Sequence, residues 1–168
     1  MFESSLRLRL APIGLLLALL AGCATPGPSL VGADRATVQS SIGAPPEVFP
    51  LPGGGERWIY PWGGLQQRVD AVDFDAAGHV SQVRQLRTAE NFARVRIGVD
   101  RQDDIRREFG PPRTIEPYPL VGLVGWMFPY LENGVWNSEM VIYFDAQGIV
   151  RKVENGPDPR FLGDGDRR

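Results

Sequence analysis

The chain has 168 residues, with 18 basic and 20 acidic side chains, one histidine and one cysteine. A charge this close to balance, with no basic run, leaves no footprint for a nucleic-acid partner or for electrostatic attachment to a membrane. One cysteine cannot close an internal disulfide, and one histidine beside one thiol falls short of the usual zinc or iron ligand sets, so no cofactor or metal is expected.

The first element in chain order is a targeting segment. Arg7 and Arg9 precede an uncharged apolar run over residues 10–20. A helix needs about 20 apolar residues to cross a bilayer, so this run suits a signal peptide better than a span. It ends in Leu20-Ala21-Gly22-Cys23, which resembles the bacterial lipobox. That resemblance implies cleavage before Cys23, a diacylglycerol on its thiol and acylation of its new amine. Two or three acyl chains anchor stably where one holds marginally. Ala24 stands where inner-membrane retention signals often have aspartate, so by the same resemblance the outer membrane, periplasmic side, is the expected location.

Residues 23–30 read as a lipidated tether, since "ATPGPSL" contains two prolines, a glycine and no charge. Its seven residues reach about 25 Å at most. Removing residues 1–22 takes away Arg7, Arg9 and Glu3 and leaves 16 basic and 19 acidic side chains, a net charge of −3.

The remaining sequence reads as two copies of one unit, over residues 31–87 and 88–155, followed by a flexible tail over 156–168. Gly32, Asp34 and Arg35 align with Gly98, Asp100 and Arg101, and Gly43-Ala44-Pro45 with Gly110-Pro111-Pro112. "WIYP" at residues 58–61 matches "WMFP" at 126–129, and "FDAAGHV" at 74–80 matches "FDAQGIV" at 144–150. Asp34 and Asp100 are candidate helix N-caps, and the pairs Val38/Ile42 and Ile105/Phe109 each share a helix face. Glycine followed by proline then stops each helix. Beyond it the period becomes two, with aromatic and β-branched residues, as in strands. Asp75 with Gly78, and Asp145 with Gly148, mark tight hairpin turns. In the second copy Thr88 can cap an additional short helix carrying Phe92 and Val95. The expected fold is α+β: two tandem helix-plus-antiparallel-meander repeats with the helices packed on one sheet face.

These residues carry a resemblance to a known family. Gly32-x-Asp34, a helix ending "IGAPP", a Trp-x-Tyr strand and "VDFDAAGHV" are similar to the SmpA/OmlA lipoprotein family, to which the BamE subunit of the outer-membrane β-barrel assembly machinery belongs. The architecture is also similar to that of β-lactamase inhibitor proteins, likewise tandem repeats. Typical members of the lipoprotein family have one such unit where this chain has two. The resemblance implies a non-enzymatic, membrane-anchored interaction module whose partners are envelope proteins, the barrel-assembly machinery among them. A different reading is an inhibitor-like or ligand-binding periplasmic protein that uses a concave surface across both repeats.

Little in the chain suggests catalysis. His79 follows a turn glycine, and its counterpart, Ile149, is apolar. Asp73 with Asp75 flanks a turn, Asp103 with Asp104 lies in a first helical turn, and "PGGGE" at 52–56 lacks the lysine of a phosphate loop. The difference between corresponding loops says more. Where the first copy has "LPGGGER", the second has "YPLVGLVG" with Leu120, Val121, Leu123 and Val124. Exposed, these residues are a candidate partner-binding or lipid-touching patch; the alternative is that they pair as a strand or pack between the repeats. Trp62, in "PWGGL", is a second candidate contact.

Overall fold

The structure is a computed structural model that describes residues 27–163. It is α+β, with two four-stranded antiparallel sheets and few helices. Strands β1 (Glu47–Pro50), β2 (Glu56–Trp62), β3 (Arg68–Phe74) and β4 (Val80–Gln85) form sheet 1 in that order, and β5 (Thr114–Tyr118), β6 (Leu123–Glu132), β7 (Trp136–Phe144) and β8 (Val150–Pro157) form sheet 2. Helix α1 (Arg35–Ile42) precedes sheet 1, while α2 (Ala89–Phe92) and α3 (Gln102–Phe109) precede sheet 2.

Local chemistry explains the boundaries. The Asp34 carboxylate accepts the Thr37 N–H at 2.7 Å and starts α1, and Thr88 accepts the Asn91 N–H at 3.1 Å and starts α2. Asp100 does not cap α3. Its carboxylate accepts the Arg96 N–H and pairs with the Arg96 guanidinium. Asp104 reaches back to the Arg101 N–H instead, because the second half carries one more residue here and α3 starts one position later. The Asp75 carboxylate accepts the His79 N–H, and that of Asp145 accepts the Gln147 and Ile149 N–H groups. Those backbone bonds hold both carboxyls below the usual range.

The same pairings recur in both sheets. Trp58 lies opposite Val72 and Val72 opposite Val83; Trp126 lies opposite Ile142 and Ile142 opposite Val153. Each sheet has a register shift just before the phenylalanine that closes its third strand, Phe74 or Phe144. An isolated bridge joins Asp34 to His79, and another joins Arg101 to Ile149.

Each sheet has one aromatic face. On sheet 1, Trp58, Tyr60, Val72 and Phe74 bury against Val38 of α1, with Leu30 and Ile42 beside it. On sheet 2, Trp126, Phe128, Tyr130, Ile142 and Phe144 bury against Phe92 of α2 and Ile105 and Phe109 of α3. The other face of sheet 1 is also buried. Ile59, Val69 and Ala71 pack there with Leu86, and the C-terminal end of α3 presses on them. At Gly110, where φ is 72°, a Cβ would stand 3.0 Å from Val69 and 3.1 Å from Ile59, so any side chain would crowd both and strain the backbone.

Strand β8 continues through Gly156 and Pro157, and the Asp158 that follows is fully buried. Two residues of the stretch expected as a tail are therefore strand, and residues 159–161 form a 3-10 turn.

Candidate functional site

Two ends of the molecule must be distinguished before any surface is assigned. At one end lie the turns after β3 and β7 and the β5–β6 hairpin. The chain enters there: a 3-10 turn, Pro28–Leu30, precedes Gly32 and Ala33, which bond to the backbone of Val80. At the other end lie the β2–β3 loop (63–67), the β6–β7 hairpin (133–135) and the turn after β8. These three are tied together across the two halves. Gln67 donates to Asn137 Oδ1 at 2.8 Å, Arg160 donates to the Leu65 carbonyl at 3.2 Å, and the Asp158 N–H reaches the Asn137 carbonyl at 2.9 Å.

The sequence candidates divide between core and surface. Leu123 and Val124 belong to β6, opposite Tyr118 and Phe144 respectively, and Val124 packs on the core of sheet 2. Leu120 and Val121 project from the hairpin tip, with Leu120 fully exposed. The apolar segment thus realises both expected alternatives, half as strand and half as exposed tip. Trp62 is half-buried and stacks on Tyr60 with ring centroids 6.0 Å apart, which makes it the edge of the first core. Cys23 lies outside the described residues. His79 is exposed in its turn.

The second end holds apolar groups the sequence reading passed over. Leu65, Leu131, Val135, Trp136 and Phe161 are all exposed there, Trp136 by 68% and Val135 by 69%. A signal was present in "ENGVW": Asn133 and Gly134 both have positive φ, as a tight hairpin turn requires, and an Asn-Gly pair places the next two residues at its mouth.

Two concavities stand out on the described surface. The first, about 250 Å³, lies between the halves beside α3, where Arg84, Arg94, Arg96 and Arg107 surround Ile105 and Phe109. Its arginines have partners: Arg84 and Glu108, Arg94 and Glu90, Arg96 and Asp100, Arg107 and Asp104. The second is an open groove on the outer face of sheet 2, lined by Arg113, Glu116, Tyr118, Met127, Glu139 and Val141. Tyr118 and Tyr143 meet edge to face over Gly125. Burial, then the neighbouring Glu154, pushes the Tyr143 hydroxyl far above its ordinary value. Among the described residues no three His, Cys, Asp or Glu side chains are grouped as for a metal ion, and no helix is long and apolar enough to cross a membrane.

Behind these surfaces stands a buried arginine. Arg87 is 1% exposed and donates to the carbonyls of Gln66, Phe109, Pro111 and Pro129. Its guanidinium lies 5.3 Å from the Phe128 ring centroid. Burial pulls its pKa down to about 9, which still leaves it a cation at neutral pH. Arg57 forms a second link, bidentate to Asp73 and also bonded to the Arg107 carbonyl and to Glu108. The two loop-bearing ends are therefore held on a braced frame.

No protein-family model and no curated protein sequence matches the chain. Two solved structures are distantly similar. A DUF4309 family protein (YjgB) from Bacillus subtilis subsp. subtilis str. 168 is 14% identical over 82% of this chain and 90% of its own, with a TM-score of 0.33. An extracellular protein containing a SCP domain from Bacillus anthracis str. Ames is 12% identical over 83% of this chain and 49% of its own, with a TM-score of 0.30. At such scores neither bears on function.

Proposed function

We propose that this chain is a lipid-anchored outer-membrane lipoprotein facing the periplasm, built as a tandem duplication of a BamE-like unit. It acts without catalysis, as a protein-interaction module in barrel assembly or envelope maintenance. One observation carries the reading: two hairpins of the second half present exposed apolar side chains, Leu120 and Val121 on the β5–β6 hairpin at one end and Val135 and Trp136 on the β6–β7 hairpin at the other, on a frame braced by Arg87. Exposed apolar groups on loops held by a rigid scaffold are characteristic of partner-binding surfaces. Support for the duplication comes from the matched register shifts, bridges and turn carboxylates of the two halves.

Detergent extraction of the full chain from membranes tests both parts. Mass spectrometry should find an N-terminal peptide that begins at Cys23 and carries acyl chains, and Cys23→Ser should release the protein from the membrane fraction. Barrel-assembly or other envelope proteins should co-purify with it. Recovery of no envelope protein rejects the module reading.

The groove on the outer face of sheet 2 favours a second reading, a protein that caps an enzyme or holds a ligand. It lies within the second half rather than across both. One-to-one binding by the Cys23→Ser chain that disappears with Tyr118→Ala would establish it.

A further inference from the structure

We infer that the cavity between the halves binds a small organic anion, a carboxylate or phosphate group on a short apolar body, held chiefly by Arg84. The site is separate from the lipid anchor and from the sheet 2 groove proposed above.

Printed contacts bring its walls together. Asn91 of α2 donates to the carbonyls of Gln85 and Leu86 at 3.3 and 2.9 Å, which draws α2 against the end of β4. Arg84 of β4 then reaches Glu108 of α3 at 3.5 Å. Arg84 from the first half, the residues that follow α2 and one side of α3 thus enclose a single space of about 250 Å³. Neither half contains the site alone. Its volume falls below the roughly 300–1,000 Å³ of sites for drug-sized molecules, so the ligand is small.

Hydrogen-bonding capacity then selects the ligand. The guanidiniums of Arg84, Arg94, Arg96 and Arg107 line the cavity against the carboxylates of Asp100, Asp104 and Glu108. Both oxygens of each carboxylate already accept a bond. Asp100 takes the Arg96 guanidinium and backbone N–H, Asp104 takes Arg107 and the Arg101 N–H, and Glu108 takes Arg57 and Arg84. The donors are far less committed. A guanidinium carries more N–H groups than any other side chain, yet Arg84 makes one long bond and its Nε, 3.8 Å from Asp73, has no acceptor. Arg94 bonds only Glu90 and Arg107 only Asp104 through their side chains. A lining with spare donors and engaged carboxylates complements a group that only accepts, as a carboxylate or phosphate does. An ammonium would find only carboxylate oxygens that are already bonded.

The apolar body also has a place. Val95, Ile105 and Phe109 line the same space. Ile105 and Phe109 are buried while the Arg94 side chain is 65% exposed, so the apolar groups form the bottom and guanidiniums the rim. A bare inorganic ion would leave that bottom unused.

Titration of the purified full chain with hexanoate and with hexyl phosphate, followed by backbone amide NMR, tests the site. One saturating set of shifts is expected at Asn91, Val95 and residues 105–109, with one anion bound per chain. Arg84→Gln should weaken binding about tenfold, the loss of a charged hydrogen-bonding partner. Arg94→Gln should weaken it at least threefold with an unchanged thermal midpoint, and this exposed position keeps the test open should Arg84→Gln fail to fold. Hexylamine should leave these signals in place, and inorganic phosphate should bind at least tenfold more weakly than hexyl phosphate. Saturation by either anion, or by both, upholds the site and names the headgroup. Equal binding of hexylamine, equal binding of inorganic phosphate, no saturating shift, or affinity indifferent to both substitutions each overturn the inference. Shifts that gather instead on Met127 and Val141 overturn it as well and favour the sheet 2 groove.

Discussion

The inner face of sheet 1 and its counterpart on sheet 2 begin from matched backbones and end as different surfaces. On sheet 1 the face carries Arg57, Ile59, Val69, Ala71 and Asp73, and the end of α3 covers it. By register the same places on sheet 2 are Gly125, Met127, Glu139, Val141 and Tyr143. The carbonyl-binding Arg87 follows β4, whereas the corresponding place is the last residue of β8, Pro157. Every group that grips the next unit has thus been replaced, and Tyr118 and Tyr143 fill the space that Gly125 leaves. The outer face of sheet 2 thus lacks the groups that hold the end of α3 against sheet 1. The lesson is that matching turn and strand signals specify the hairpins of both sheets, while the residues between them decide which sheet face is covered.

Arg87 offers the strongest way to break this asymmetry. Arg87→Met should lower stability by about 3 kcal/mol or more, since it leaves several buried carbonyls without donors. Urea denaturation read at separate tryptophan and far-ultraviolet signals should also show the halves losing their shared transition. A loss below about 0.5 kcal/mol, ordinary for a surface change, would mean that the halves are held by something other than this cation.

Next comes the pair of helix-ending glycines. Gly110→Ala meets Val69 and Ile59 at 3.0 and 3.1 Å as well as a φ of 72°, whereas Gly43→Ala faces a φ of 87° with no atom within 4 Å. The first should cost about 2 to 3 kcal/mol and the second about 1 kcal/mol, the strain alone. Thermal unfolding of the two variants side by side checks the difference, and equal losses would contradict the close approach of α3 to sheet 1.

The smallest effects belong to the turns that the halves share. Asp75 and Asp145 have carboxyls held below their ordinary value by backbone N–H bonds. A folded pKa below the unfolded one contributes stability that is present above the unfolded value, about 3.9, and is lost as pH falls through the folded value. Asp75→Asn and Asp145→Asn should therefore lower stability slightly at neutral pH, with the gap from the parent closing in acid. Melts between pH 7 and pH 2 should give closely similar curves for the two variants, and clearly different ones would separate the turns.

Much of the molecule was legible in the residues themselves. The helices, the turns at Asp75 and Asp145 and the aromatic strand faces follow from capping chemistry and from periods of 3.6 and two, which act over a few neighbouring residues. The 120–124 segment was expected to be either exposed or paired as a whole; the structure divides it, with Leu120 and Val121 exposed and Leu123 and Val124 in β6. The reading of Asp100 as a cap failed because one added residue shifted the helix start and freed its carboxylate for Arg96. Trp136 was passed over because the Asn-Gly signal beside it marks a turn without saying which side chains stay exposed.

What sequence alone determined, then, is the set of local pieces and a terminal signal that resembles a lipobox. What tertiary structure alone decided is the use of Arg87, the covering of one sheet's second face and the tying of the 63–67 loop to Asn137 and Arg160 at one end. Arg87 looks like any surface cation in a one-dimensional reading, since its acceptors lie 21 to 42 residues away. Burial of a charge depends on which carbonyls converge in space, and that convergence is a property of how two sheets pack rather than of any short stretch of chain.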